Sequence, residues 1–125
     1  MSVLINELTL GDLLKYEEES LYSRDQVTVA AGQNLRIGTV LGRVDANGKV
    51  KALDPAATDG TQIATAVLLQ SVDATAGDKS SGIAVTRQSI VAHHALVWPA
   101  AITAEEKATA TAQLEAVGIL VRQGA

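Results

Sequence analysis

The sequence predicts an α+β fold that is mostly β: a small β-rich domain with one C-terminal helix and an N-terminal arm. Three observations predict it. From Gln26 onward, short runs of branched aliphatics recur between Gly, Asn and Asp residues, the alternation of strands and turns. One Ala-rich stretch near the C-terminus opens with a capping box. The first two dozen residues, apolar and then acidic, differ in character from the rest. The boundary is drawn between an arm, 1–24, and a β-rich domain, 25–125.

In the arm, Val3, Leu4, Ile5, Leu8, Leu10, Leu13 and Leu14 are followed by the acidic block Glu17, Glu18 and Glu19. Thr9 with Asp12 three residues on is a weak capping-box variant, which predicts a short helix from about Leu10 to Ser20. The apolar residues ahead of it have no partner within so short a segment. Either they fold back on their own domain or they dock on a partner and order there. Glu17 to Glu19 and Glu105-Glu106 read as solvated faces.

Val27 to Ala30 alternates as a strand does, and Ala31-Gly32-Gln33-Asn34 reads as a turn. Leu35-Arg36-Ile37 runs on to Gly38. Asp45-Ala46-Asn47-Gly48 joins two extended runs, Thr39 to Val44 and Lys49 to Leu53; Asn-Gly is a strong hairpin signal because both residues tolerate positive φ. Asp54 to Gly60 is rich in breakers. Ile63 to Leu69 is a continuous apolar run, predicting a central buried strand. Asp73 to Gly82 reads as a polar loop, Ile83 to Thr86 as a strand, and Ser89 to Trp98 as an extended segment ended by Pro99. Thr103-Ala104-Glu105-Glu106 is the capping box, opening a helix that runs to about Ala116. Gly118 terminates it, and Ile119-Leu120-Val121 returns as a strand.

Composition narrows the function. Hydrophobic residues make up 47% of the chain, yet aromatics only 2% and Phe none, so the core must be built from small aliphatics. Such a core buries little area per residue, and assembly with other subunits is expected to supply the rest. The net charge of −4 and the absence of any basic run argue against nucleic-acid binding. With no Cys there are no disulfides, thiolate nucleophiles or cysteine metal sites. No signal peptide and no membrane-length apolar run is visible, so a soluble protein made in the cytosol is expected.

Catalytic, metal and cofactor residues are all expected to be absent. His93 and His94 are adjacent, and in a strand they would point to opposite faces. Gly77-Asp78-Lys79-Ser80 superficially resembles a phosphate loop, but Asp78 would repel phosphate and Val72 stands where an earlier glycine is required. Asp45, Asn47 and Gly48 echo a calcium loop whose last ligand would be Ala56, which has no side-chain oxygen. No nucleophile, base and orienting group can be assembled, so the chain is read as a non-enzyme with no small-molecule substrate.

Several short motifs occur in order. Ala31-Gly32-Gln33 and Gly38-Thr39-Val40-Leu41-Gly42 come first. Thr58-Asp59-Gly60 then leads into the apolar run Ile63 to Leu69, and Leu96-Val97-Trp98-Pro99 follows. The Ala-rich helix opened by acidic residues and the closing Gly118-Ile119-Leu120-Val121 complete the series. Together they resemble the lambda-type bacteriophage head decoration proteins, the protein D family, over roughly the last hundred residues.

That resemblance implies a homotrimer on the outer surface of the capsid in the virion, made in the host cytoplasm. It would cement neighbouring subunits of the major capsid protein at three-fold positions and stabilise the expanded shell against packaged DNA. It also implies no enzymatic activity, no cofactor, and no nucleic-acid or membrane partner. Val3, Leu4, Ile5 and Leu8, with Leu10 beyond them, are then the expected capsid-binding arm, docking by strand addition. Trp98 and Pro99 are either a core anchor or a subunit interface. Lys49 and Lys51 receive no role beyond solubility. Two other readings are a tail or other phage assembly protein with a shared β domain, and a biotinyl/lipoyl-type carrier presenting a hairpin lysine.

Overall fold

Five strands that close on themselves leave an interior too narrow for large side chains, and a chain without Phe meets that demand. The computed structural model describes residues 13–17 and 23–122. The strands among them are β1 (Leu14–Glu17), β2 (Arg24–Val29), β3 (Asn34–Leu35), β4 (Val40–Arg43) and β5 (Val50–Ala52). After these come β6 (Ala66–Leu68), β7 (Val72–Asp73), β8 (Lys79–Val85), β9 (Ser89–Ala92) and β10 (Ile119–Arg122). The helix α1 (Ala104–Ala116) precedes the last strand.

The closed barrel has the order β2-β5-β4-β6-β8. Alternation divides its side chains between two cores. Val27, Val29, Leu41, Val50, Ala66, Leu68 and Ala84 belong to one buried cluster, completed by Leu35 and Val72 from the small β3–β7 sheet and by Ala74 just after it. The intervening Val40, Val67 and Val85 join the second cluster with Leu13, Val91, Ala110, Leu114 and Ile119. That second core lies under α1 and the three-stranded sheet β1-β9-β10, in which β1 is antiparallel and β10 parallel to β9.

A parallel neighbour needs a crossover, and α1 lies on it between β9 and β10. Thr103 Oγ1 accepts from Glu106 N–H at 3.1 Å, and Glu106 Oε1 accepts from Thr103 N–H at 3.0 Å. The capping box is therefore complete at the residue where the sequence placed it. Ala110 and Leu114 are the buried residues of the helix.

Four sequence expectations need correction. Within the helix expected from Leu10 to Ser20, the described residues 14–17 form strand β1, because pairing with β9 outweighs a weak local cap signal. The run Ile63 to Leu69 supplies only a three-residue strand; Ile63 sits in a bend before it, 46% exposed. The expected polar loop to Gly82 is strand from Lys79, since β8 pairs with β2 at Val29↔Lys79 and Val27↔Gly82 while its first three residues face solvent. The extended segment expected to reach Trp98 stops at Ala92, and His93–Ala95 form a single 3-10 turn instead of strand.

The hairpin was legible, with a different turn. Asp45 to Gly48 form the loop, Gly48 N–H donates to Val44 O at 2.8 Å, and of the Asn-Gly pair only Gly48 takes positive φ, +74°.

Candidate functional site

Trp98 and Pro99 follow the 3-10 turn at the point where the chain leaves the second core. Val97 is tied to the barrel from both sides: its N–H donates to Gly38 O at 2.8 Å and its O accepts from Val40 N–H at 3.2 Å. Trp98 is partly buried against the second core. His93 lies at a ring-centroid distance of 6.4 Å, tilted by 46°, and Lys107 Nζ is 6.0 Å from the Trp98 ring centroid. The indole Nε1 is buried and finds no acceptor among the described residues.

Pro99 O accepts from Ile102 N–H at 3.1 Å, which turns the chain towards α1. Pro99 also borders three adjoining surface depressions. One is shared with Leu35 and Trp98, one with Leu53 and Asp59, and one with Ala101 and Ile102. The segment therefore anchors on the second core, the first of the two alternatives, and it also lines a concave surface.

The expected arm residues Val3, Leu4, Ile5, Leu8 and Leu10 lie outside the described residues. The stretch that follows them is part of the domain. Leu13 is fully buried in the second core, and β1 pairs with β9 through Leu14↔Val91 and Glu17↔Ser89, with a bulge between Leu14 and Tyr16. Residues 14–17 thus belong to the domain's sheet, although they fall inside the segment set apart as an arm.

Glu17 corrects another expectation. Its carboxylate is not a solvated face: Arg24 Nε donates to both oxygens at 3.0 and 3.1 Å, Arg24 Nη2 to Oε1 at 2.5 Å, and Ser23 Oγ to Oε2 at 2.5 Å. The Arg24 hydrogen bonds hold the Glu17 carboxyl below its ordinary range despite partial burial, and Glu17 in turn raises Arg24. No sequence pattern marks this pair, because its partners are seven residues apart on different strands. Asp25 is likewise lowered, first by Arg87, whose Nη2 donates to Oδ2 at 2.8 Å.

Asp78, Lys49 and Lys51 have structural partners. Asp78 accepts from Ala31 N–H at 2.8 Å and pairs with Lys49 at 2.5 Å, so it ties the β7–β8 connection to the turn after β2 and to the hairpin. Lys49, which a carrier domain would present at a hairpin tip, is engaged in that pair. Lys51 lies 4.0 Å from Asp59. Among the described residues no three acidic or His side chains converge to hold a metal ion, and no helix is long and apolar enough to cross a membrane.

The family model for bacteriophage lambda head decoration protein D matches residues 3–119 of the chain. No curated protein matches it.

Proposed function

Because the chain belongs to the bacteriophage lambda head decoration protein D family, whose members are structural and decorate the phage capsid, we propose that it acts as a capsid-cementing protein on the outer surface of the head. It does so as a homotrimer that bridges subunits of the major capsid protein and stabilises the expanded shell. The single observation that carries this reading is the family match over residues 3–119, which spans the barrel, β1, β9 and α1.

In this reading the part of 1–24 ahead of the buried Leu13 supplies the docking segment, with Val3, Leu4, Ile5, Leu8 and Leu10 as its apolar contacts, and the body begins at Leu13. An extended segment that adds to a sheet edge gains affinity from main-chain hydrogen bonds and selectivity from alternate side chains. Burial of two or three such side chains gives several kcal/mol before ordering costs. Three segments on one trimer then act at high effective concentration. Trp98 and Pro99 are assigned to the subunit interface. The concave surface around Pro99 supports that assignment.

Electron microscopy of heads assembled with and without the protein tests the reading. Added density is expected on the outside of the shell at three-fold positions. Density on the tail, or heads of identical appearance, contradicts it. Deleting Ser2 to Leu8 is expected to leave a folded trimer that no longer decorates shells, and undiminished decoration by the shortened chain contradicts the role of the segment.

A further inference from the structure

Ile63 and Val117 are the large hydrophobic residues left exposed among the described residues, at 46% and 39%. They belong to one surface. Ala64 N–H donates to Gln113 Oε1 at 2.8 Å, which sets Ile63 beside α1, and Val117 lies one turn beyond Gln113. Gln113 also lines a depression with Leu53, Gln62 and Glu105, so an exposed carboxylate borders the same apolar surface. Single exposed apolar residues are ordinary, but two that flank one residue make a patch.

A second surface has the complementary features. Leu35, Ala52, Val97, Trp98 and Pro99 line one depression, and Arg36 stands exposed beside them. The Arg36 backbone is held in place, because its O accepts from Thr39 N–H at 3.1 Å and from Thr39 Oγ1 at 2.7 Å. Neither Arg36 nor Glu105 enters an ion pair among the described residues. Further depressions, joined through Pro99, Asp54 and Pro55, separate the two surfaces, which therefore do not meet within one subunit.

We propose that these surfaces are the two halves of one subunit contact. Ile63 and Val117 of one copy seat against the Trp98–Pro99 depression of the next, and Glu105 of the first copy faces Arg36 of the second. The inference rests on the homotrimer proposed above and names the faces that close it. A three-fold ring is heterologous: every subunit must offer two different surfaces that complement each other, one to each neighbour. This chain offers exposed apolar side chains with an anion on one flank, and an apolar hollow with a cation on another. Trp and Arg around one hollow are the residue types that dominate interface energies. The opposite charges decide which face meets which, because a contact between like faces brings like charges together.

Sedimentation equilibrium of full-length variants tests the pairing. Arg36→Glu and Glu105→Arg are each expected to raise the concentration at which the trimer dissociates by about tenfold, and the two together to restore it. Ile63→Glu is expected to stay folded, since the side chain is half exposed, and to run as a monomer. Cross-linking gives an independent readout, because the chain has no Cys. Asn34 is exposed and lines the same depression as Trp98. The double variant Asn34→Cys with Ile63→Cys, treated with a short bis-maleimide, is expected to give covalent dimers and trimers on a denaturing gel, while each single variant stays monomeric. Charge variants that associate as the unmodified chain does overturn the inference, as does a double variant that forms no cross-link. Cross-linking of Ile63→Cys to itself overturns it too, since that marks a two-fold contact. An unmodified chain that is monomeric at every concentration defeats the homotrimer reading and this inference together; an unmodified trimer indifferent to all these changes defeats this inference alone.

Discussion

At the scale of single residues, the Thr58-Asp59-Gly60 motif is explained by contacts around the loop that leads to β6. Asp59 Oδ1 accepts from both Thr61 N–H (3.1 Å) and Thr61 Oγ1 (2.6 Å), and Thr61 is buried. Gly60 has φ +107°, and a Cβ there would lie 2.4 Å from Arg43 O. Across the same contact, a Cβ at Gly42 would lie 2.5 Å from the Thr61 backbone. Backbone meets backbone at both places, so no flexible side chain can yield. Gly42→Ala and Gly60→Ala are each expected to lower stability by about 2 kcal/mol or more, read as a fall in the urea midpoint. The carboxylates make a second statement at this scale. Glu17, Asp25, Asp59, Asp73 and Asp78 are all lowered, chiefly by Arg24, Arg87, Thr61, Thr75 and Lys49 respectively. Groups lowered by folding stabilise the native state above their unfolded pKa values, and that contribution is lost as pH falls through the folded ones. The urea midpoint is therefore expected to hold from neutrality to about pH 5 and to drop below about pH 4. Glu17→Gln should make that drop shallower, and a midpoint that climbs on acidification would contradict the assignment.

At the scale of elements, the helix was the most legible part of the sequence because its signals are local. Thr103 and Glu106 cap each other within four residues, and Thr103→Ala is expected to cost about 1 kcal/mol, measurable by urea denaturation, with Thr103→Ser close to neutral. The hairpin around Gly48 was legible for the same reason. The strands that escaped reading owe their existence to distant partners. Lys79 to Ser81 are polar and exposed, and β2 makes them strand through pairing some fifty residues away in sequence. Leu14 to Glu17 look helical in isolation and are strand because β9 lies beside them. Ile63 is as apolar as the strand it precedes, yet it is exposed in a bend, while the adjacent Ala64 N–H donates to Gln113 Oε1 on α1 at 2.8 Å. The candidate site divides the same way. The packing of Trp98 on the second core was legible from residue type. Glu17 was hidden within an acidic run, and nothing local in the sequence pairs it with Arg24.

At the scale of the whole molecule, the absence of Phe and the prevalence of Val, Leu and Ala fit two thin cores, one inside the barrel and one beneath the sheet and helix. The proposed homotrimer would add burial to such thin cores, so its melting temperature is expected to rise with concentration. Trp98 reports on the same event. Its fluorescence emission is expected to shift to longer wavelength on dilution through dissociation, and an emission maximum unchanged by dilution would confine Trp98 to the core of one subunit. The measurement that goes to the centre of the account is co-sedimentation of the purified, full-length protein with undecorated expanded heads, the free protein being weighed by sedimentation equilibrium in the same buffer. A trimer is expected that pellets with the heads until a fixed ratio to the major capsid protein is reached and then saturates. A monomer that stays in the supernatant at every ratio would contradict it.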